Sequence, residues 1–228
     1  MRIGIVVALD AEARTLPASS GVFAGRHQYE VMLAGPGPRR AEHAARRLLA
    51  QGCDALLSFG LAGGLAPALR PGALVNASKV CNANGQMLSC ADPLRLLLRD
   101  ALSDITVHDA PLYGADAPLV TSVDKSVLHA ARGTVAVDME SAAIGRVAGE
   151  HDAPFAVLRC VVDPCDFTLP RAALVGMADD GGNRPMATAV AVLTRPWELP
   201  NLIRLALWYG DALRALRSAG ALLCSQVR

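Results

Sequence analysis

The chain carries almost no net charge: its 228 residues hold 22 Lys+Arg against 21 Asp+Glu, a formal balance of +1. Duplex binding needs a basic excess to neutralise phosphates, so no nucleic-acid partner is expected. Long apolar runs are missing too. The best uncharged stretch, Ala55 to Leu69, is interrupted by Gly60, Gly63, Gly64 and Pro67, and it falls short of the ~20 apolar residues of a membrane-spanning helix. The apolar start, Ile3 to Leu9, is too short for a signal peptide, and Asp10 and Glu12 follow where a cleavage site would stand. It reads as a buried first strand. None of the six cysteines (Cys53, Cys81, Cys90, Cys160, Cys165, Cys224) has C-x-x-C spacing, and the five histidines lie apart from them. No metal site is expected. A chain of this size with its own core needs no disulfide framework, so the cysteines read as buried thiols of a cytoplasmic protein. The G-x-G-x-x-G and G-x-x-x-x-G-K-[ST] fingerprints are absent, as are internal repeats, low-complexity tracts and linkers.

What is present is a large core. Hydrophobic residues make up 52% and charged residues 19%, which excludes a disordered chain. Domains usually run to roughly 100–200 residues, so residues 1–228 are read as one domain at the large end. Strands are expected at Ile3–Leu9, Tyr29–Ala34, Ala55–Phe59, Leu74–Val80, Leu119–Thr121, Val135–Val137 and Phe155–Val162. Helices are expected at Pro38–Gln51, Pro93–Leu102, Asp124–Ala131, Glu140–Glu150, Arg171–Ala178 and Trp197–Ser218. In the first of these helices Ala41, Ala44, Ala45, Leu48 and Leu49 make one face, and Arg39, Arg46 and Arg47 the other. Continuous apolar strands alternating with such helices imply an α/β/α layered domain on a largely parallel sheet.

Ligands of such sheets bind outside the carboxyl ends of the strands. Four strand ends carry unusual residues: Asp10 and Glu12; the glycine turn Gly60-Leu61-Ala62-Gly63-Gly64; Asp138-Met139-Glu140-Ser141; and Asp163-Pro164. Acids there can serve general acid–base chemistry. Asp163 before Pro164 also reads as a helix cap, and Glu140 as a first-turn Glu favoured by the helix dipole. Met139 also reads as core filling and Asp138 as a cap.

Several of these segments carry a resemblance. The opening Ile3 to Glu12, the turn Phe59 to Leu65, the run Val137-Asp138-Met139-Glu140-Ser141-Ala142 and the strand Pro154 to Asp163 resemble, in this order along the chain, motifs of the purine nucleoside phosphorylase and nucleosidase superfamily. The opening is similar to that of the methylthioadenosine/S-adenosylhomocysteine nucleosidases. The resemblance implies a three-layer α/β/α phosphorylase-like fold with a twisted mixed central sheet. It implies that Asp163 meets the purine as acid, that Glu140 takes the ribose hydroxyls with Met139 packed under the sugar, and that Leu61, Ala62 and Gly63 contact substrate. Glu12 takes the place of a water-activating Glu. No metal or organic cofactor is implied.

Two reactions stay open. Glu12 favours hydrolysis, and Leu61 cannot donate a hydrogen bond to phosphate. Phosphorolysis, with inorganic phosphate as co-substrate, would depend on basic groups such as Arg14, Arg39 or Arg40. The overall pattern looks most like the hopanoid-associated branch, which shares Val7 to Arg14, Val137 to Ala142 and Asp163 to Leu174. That branch implies removal of adenine from adenosylhopane, a lipid-linked adenine nucleoside. The apolar stretch Met186 to Leu193 and the terminal helix, with Leu202, Ile203, Ala206, Leu207 and Leu213 against Arg204, Arg214 and Arg217, suit an apolar exit and peripheral contact with the inner membrane face. The terminal helix equally suits packing on the sheet or a subunit interface. The superfamily implies a homodimer or larger homo-oligomer.

Overall fold

Apolar runs become strands of one mixed sheet in the computed structural model, which describes residues 1–17, 22–24, 27–176 and 194–225. The first part of the chain forms β1 (Arg2–Val7), α1 (Asp10–Ala13), β2 (Val22–Ala24), β3 (His27–Leu33), α2 (Pro38–Ala50) and β4 (Ala55–Gly64). The middle forms β5 (Leu74–Asn82), β6 (Met87–Ser89), α3 (Asp92–Ala101), β7 (Val107–Gly114) and α4 (Ser122–Arg132). Then come β8 (Ala136–Asp138), α5 (Ser141–Glu150), β9 (Phe155–Asp163), α6 (Arg171–Gly176), a 3-10 turn at Pro196–Glu198 and α7 (Leu199–Ser225).

The sheet order is β2-β3-β1-β4-β8-β7-β5-β6, with β9 bonded to both β4 and β5. β1 pairs parallel with β3 and β4, and β9 runs parallel to β4 but antiparallel to β5. The sheet is therefore mixed rather than largely parallel. Side-chain alternation along β9 explains the layers: Phe155, Val157 and Val161 face a core shared with α2 and α5, whereas Ala156, Leu158 and Cys160 face one shared with α3 and the end of α7. Helix α2 buries Ala41, Ala44, Ala45 and Leu48, the expected face, and starts with Pro38 in its first turn.

Three expectations are corrected. Leu119–Thr121 is not a strand; β7 lies upstream, hidden in the sequence by His108, Asp109 and Pro111. Pro111 is tolerated because the register with β5 shifts between Ala77 and Val80, opposite it. The glycine-rich segment 60–64 is not a turn but the second half of β4, which extends far enough for Gly63 and Gly64 to pair antiparallel with β8. The terminal helix runs on to Ser225. Met186–Leu193 and the end of the helix expected at Arg171–Ala178 lie outside the described residues.

Candidate active site

Where β1 ends, Leu9 adopts an extended conformation and caps α1. The Glu12 side chain folds back over this start: its Oε2 accepts the backbone N–H of Ala8 at 2.8 Å and of Leu9 at 2.9 Å. Its Oε1 accepts the N–H of Leu61, in β4, at 2.8 Å. That third bond requires Gly60, since a Cβ there would meet Glu12 Oε1 at 2.5 Å and Arg159 Nη1 at 2.6 Å. Burial raises the Glu12 pKa above the ordinary carboxylate value, against the pull of the Arg159 charge and the three amides.

Arg159 is the hub. It replaces an apolar residue on the α5 side of β9 and is almost wholly buried. Its Nε lies 2.6 Å from Asp138 Oδ2, and its Nη1 donates to Leu61 O at 3.3 Å. Its Nη2 donates to Ser58 Oγ at 2.8 Å and to Glu140 Oε2 at 3.3 Å. Glu140 Oε1 accepts the N–H of Gly37 at 2.9 Å, from a backbone of φ 99° that suits glycine. The N-cap of α5 is Glu140 rather than Asp138; Asp138, two residues earlier, accepts Ser141 N–H at 3.2 Å and is the counter-charge of Arg159. Burial raises the Glu140 pKa, with Asp138 and Glu12 adding to the effect and Arg159 and Gly37 opposing it.

Asp163 ends β9 and begins no helix. Its Oδ2 is ion-paired with Lys125, whose side chain is fully buried. Lys125 Nζ donates further to Phe167 O at 2.8 Å and Pro164 O at 3.1 Å. Burial raises the Asp163 pKa and Lys125 lowers it, burial being the larger.

These groups surround one cavity of about 510 Å³. Glu12, Leu61, Ala62, Gly63, Met139, Glu140 and Asp163 all line it. The backbone N–H of Leu61 is occupied by Glu12 and does not point to an incoming anion. Apolar residues line it as well: Pro118 and Leu119 from the loop after β7, Leu169, Ala172 and Ala173 around the start of α6, and Leu202, Leu205 and Ala206 of α7. Tyr209 joins them, its phenol pKa raised by burial and by the charges of Glu12 and Asp10. Among the described lining residues there is no Lys or Arg. Arg14 pairs with Asp10 at the surface, and Arg39 and Arg40 are exposed. Among the described residues no helix is long and apolar enough to cross a membrane. All six cysteines are free; Cys53, Cys81, Cys90 and Cys160 are buried.

Two residues of this site escaped the sequence reading. Arg159 had a signal, because a lone charge inside an apolar strand covered on both faces must be paired. Lys125 had none: Val123 and Val127 on the same helix are exposed, and no apolar face marks the residue that points inward.

A mixed sheet between helical layers, with acids at its strand ends around an apolar cavity, defines an α/β enzyme for a small ligand. The chain belongs to the phosphorylase superfamily, whose family model it matches over residues 2–194. It is accordingly an enzyme of the class that cleaves N-glycosidic bonds. Solved structures agree in fold. The 5′-methylthioadenosine/S-adenosylhomocysteine nucleosidase of Neisseria meningitidis, in complex with methylthio-immucillin-A, superposes with a TM-score of 0.73 at 16% identity, over 99% of both chains. Futalosine hydrolase of Helicobacter pylori gives 0.72 at 16% identity, over 100% of this chain and 97% of that one. S-adenosylhomocysteine nucleosidase of Streptococcus pyogenes, in complex with 5-methylthiotubericidin, gives 0.65 at 22% identity, over 73% of this chain and 85% of that one.

Proposed function

We propose that the protein hydrolyses the N-glycosidic bond of a 5′-substituted adenine nucleoside, with adenosylhopane as substrate and adenine and a ribosyl-hopane as products. The observation that carries this reading is the lining of the cavity: Glu12, Asp138, Glu140 and Asp163 from the strand ends, together with an apolar set from the loop after β7, the start of α6 and α7. As the bond from C1′ to the base breaks, its electron pair leaves with adenine and positive charge grows on the ribose. Carboxylates around the sugar favour that charge. Asp163 donates a proton to N7 of the leaving base. Glu12, as a carboxylate, accepts a proton from the water that attacks C1′. Glu140 retains acceptor capacity beyond Gly37 and Arg159 for the two ribose hydroxyls, and Met139 packs beneath the sugar. Phosphate would enter among Glu12, Asp138, Glu140 and Asp163 with no lining cation among the described residues to hold it.

The lipid tail is supported by the apolar lining and by α7, which also exposes Leu199, Ile203 and Leu207, with Trp197 just before. Arg204 lies against Trp208 at 5.8 Å on the same turns. This flank suits the inner membrane face; a second copy of the chain is the competing cover.

The test is adenine release from adenosines bearing short and long apolar 5′ substituents, with and without phosphate. Release without phosphate, faster kcat/KM for long substituents, and a loss of roughly 10²–10⁴-fold in Asp163→Asn are expected. Strict phosphate dependence overturns the water role of Glu12, and equal kcat/KM across substituents overturns the lipid-linked substrate.

A further inference from the structure

The Lys125 ammonium is unused by the mechanism above, yet it is fully buried and touches the leaving-group acid. An ammonium has three donors. Here they go to Asp163 Oδ2, Pro164 O and Phe167 O. It is the buried residue of α4, a helix started by Thr121, whose Oγ1 accepts the N–H of Asp124 at 3.0 Å. The same helix start holds the segment after Asp163: Ser122 N–H donates to Thr168 Oγ1 at 3.1 Å and Leu169 N–H to Val120 O at 3.0 Å. Lys125 thus joins the acid to the loop that leads to the cavity wall at Leu169 and Ala172.

We propose that Lys125 is a positioning residue of the reaction: it holds one oxygen of Asp163 so that the other meets the base, and it sets how readily Asp163 gives up its proton. The inference rests on Asp163 being the leaving-group acid. Of the other charged groups at the cavity, Glu12, Asp138 and Glu140 are held by Arg159 across the sheet, and among the described residues Lys125 is the cation that bears on Asp163. A weakly acidic Asp163 keeps its proton but releases it poorly; a strongly acidic one is already ionised. The neighbouring cation moves Asp163 between these extremes.

The sign follows. A general acid works protonated, so kcat/KM falls as pH rises through its pKa. Removing an adjacent cation raises that pKa, by about 1–3 units for a close opposite charge. Lys125→Met is therefore expected to move the alkaline limb of the kcat/KM profile to higher pH and to lower kcat by less than Asp163→Asn does. Lys125→Arg should restore the limb. In an Asp163→Asn background Lys125→Met should cost nothing more, because it acts through Asp163. A second reading needs no turnover: the carboxyl carbon resonance of Asp163, identified by its loss in Asp163→Asn, should titrate higher in Lys125→Met. Should Lys125→Met fail to fold by circular dichroism, Lys125→Gln carries the same comparison. An unmoved limb and resonance in a folded variant, or losses that multiply in the double variant, overturn the proposal. Absence of adenine release by the wild type sinks the proposed reaction instead, and leaves the resonance to decide on Lys125.

Discussion

At the floor of the cavity the carboxylates are tied into the sheet by buried cations and backbone amides, whereas the cavity-facing half of α7 is held more lightly, with Trp208 edge-on to Phe167 at 4.9 Å. Glu12 accepts three backbone amides, and Arg159 reaches Asp138, Glu140, Ser58 and the Leu61 carbonyl. In α7, by contrast, residues 199–210 include no buried residue, while Ala212, Leu216, Ala219 and Leu223 lock the second half into the core. The floor is made by strands, whose register leaves little freedom. The wall is the half-buried part of a helix whose fully buried residues lie further on. Bond cleavage needs acids fixed to within a fraction of an ångström, and the sheet supplies that. On the proposed reaction, choice of the 5′ substituent would need only an apolar surface of suitable shape, which a helix flank can alter without disturbing the chemistry.

Substitutions can break this contrast. The largest effect is expected at the floor's hub. Arg159→Met leaves Asp138, Glu140 and Glu12 without their common counter-charge, and breaking a buried pair from one side costs about 3–5 kcal/mol; urea unfolding at neutral pH checks it. A loss under about 1 kcal/mol would mean that the hub is dispensable to the fold. The second test reverses the sign. Burial holds Glu140 protonated to higher pH in the folded chain than in the unfolded one, so its share of stability is present below the unfolded pKa and is lost as pH rises through the folded one. Glu140→Gln should therefore be more stable than wild type at pH 8, by about 1.4 kcal/mol for each pH unit separating the two titrations. The two proteins should converge near pH 4, and melting at both pH values decides. The smallest effect is expected at the wall: Leu205→Ser should leave kcat for a short 5′ substituent unchanged and raise KM for a long apolar one by about tenfold, the scale of one lost apolar pocket contact. An equal change for both substrates would show that the wall also holds the chemistry in place.

The contrast also governs what was legible in the sequence. Strands β1, β3, β4, β5 and β9 show as apolar runs because both of their faces are covered, and the ends of β1 and β9 mark where Glu12 and Asp163 emerge, while Glu140 follows the short β8. β7 does not show, since its exposed His108 and Asp109 and its proline at a register shift erase the pattern. The glycines of β4 read as a turn because the reason for Gly60 is a meeting of Glu12 with Arg159, residues 147 positions apart by their numbering. The Lys125–Asp163 pair is likewise a fact of three dimensions, with no local spacing to announce it.

Helix α7 runs without a break for 27 residues, about 40 Å at 1.5 Å each. Its two ends are therefore locked in phase. One residue added near Gly210 would turn the outer end by about 100° against the inner one, swinging Leu202, Leu205 and Tyr209 off the cavity while Leu216 and Leu223 kept their seats. The rotational setting of that wall is thus decided by the buried residues from Ala212 to Leu223, beyond the last residue of the helix that lines the cavity.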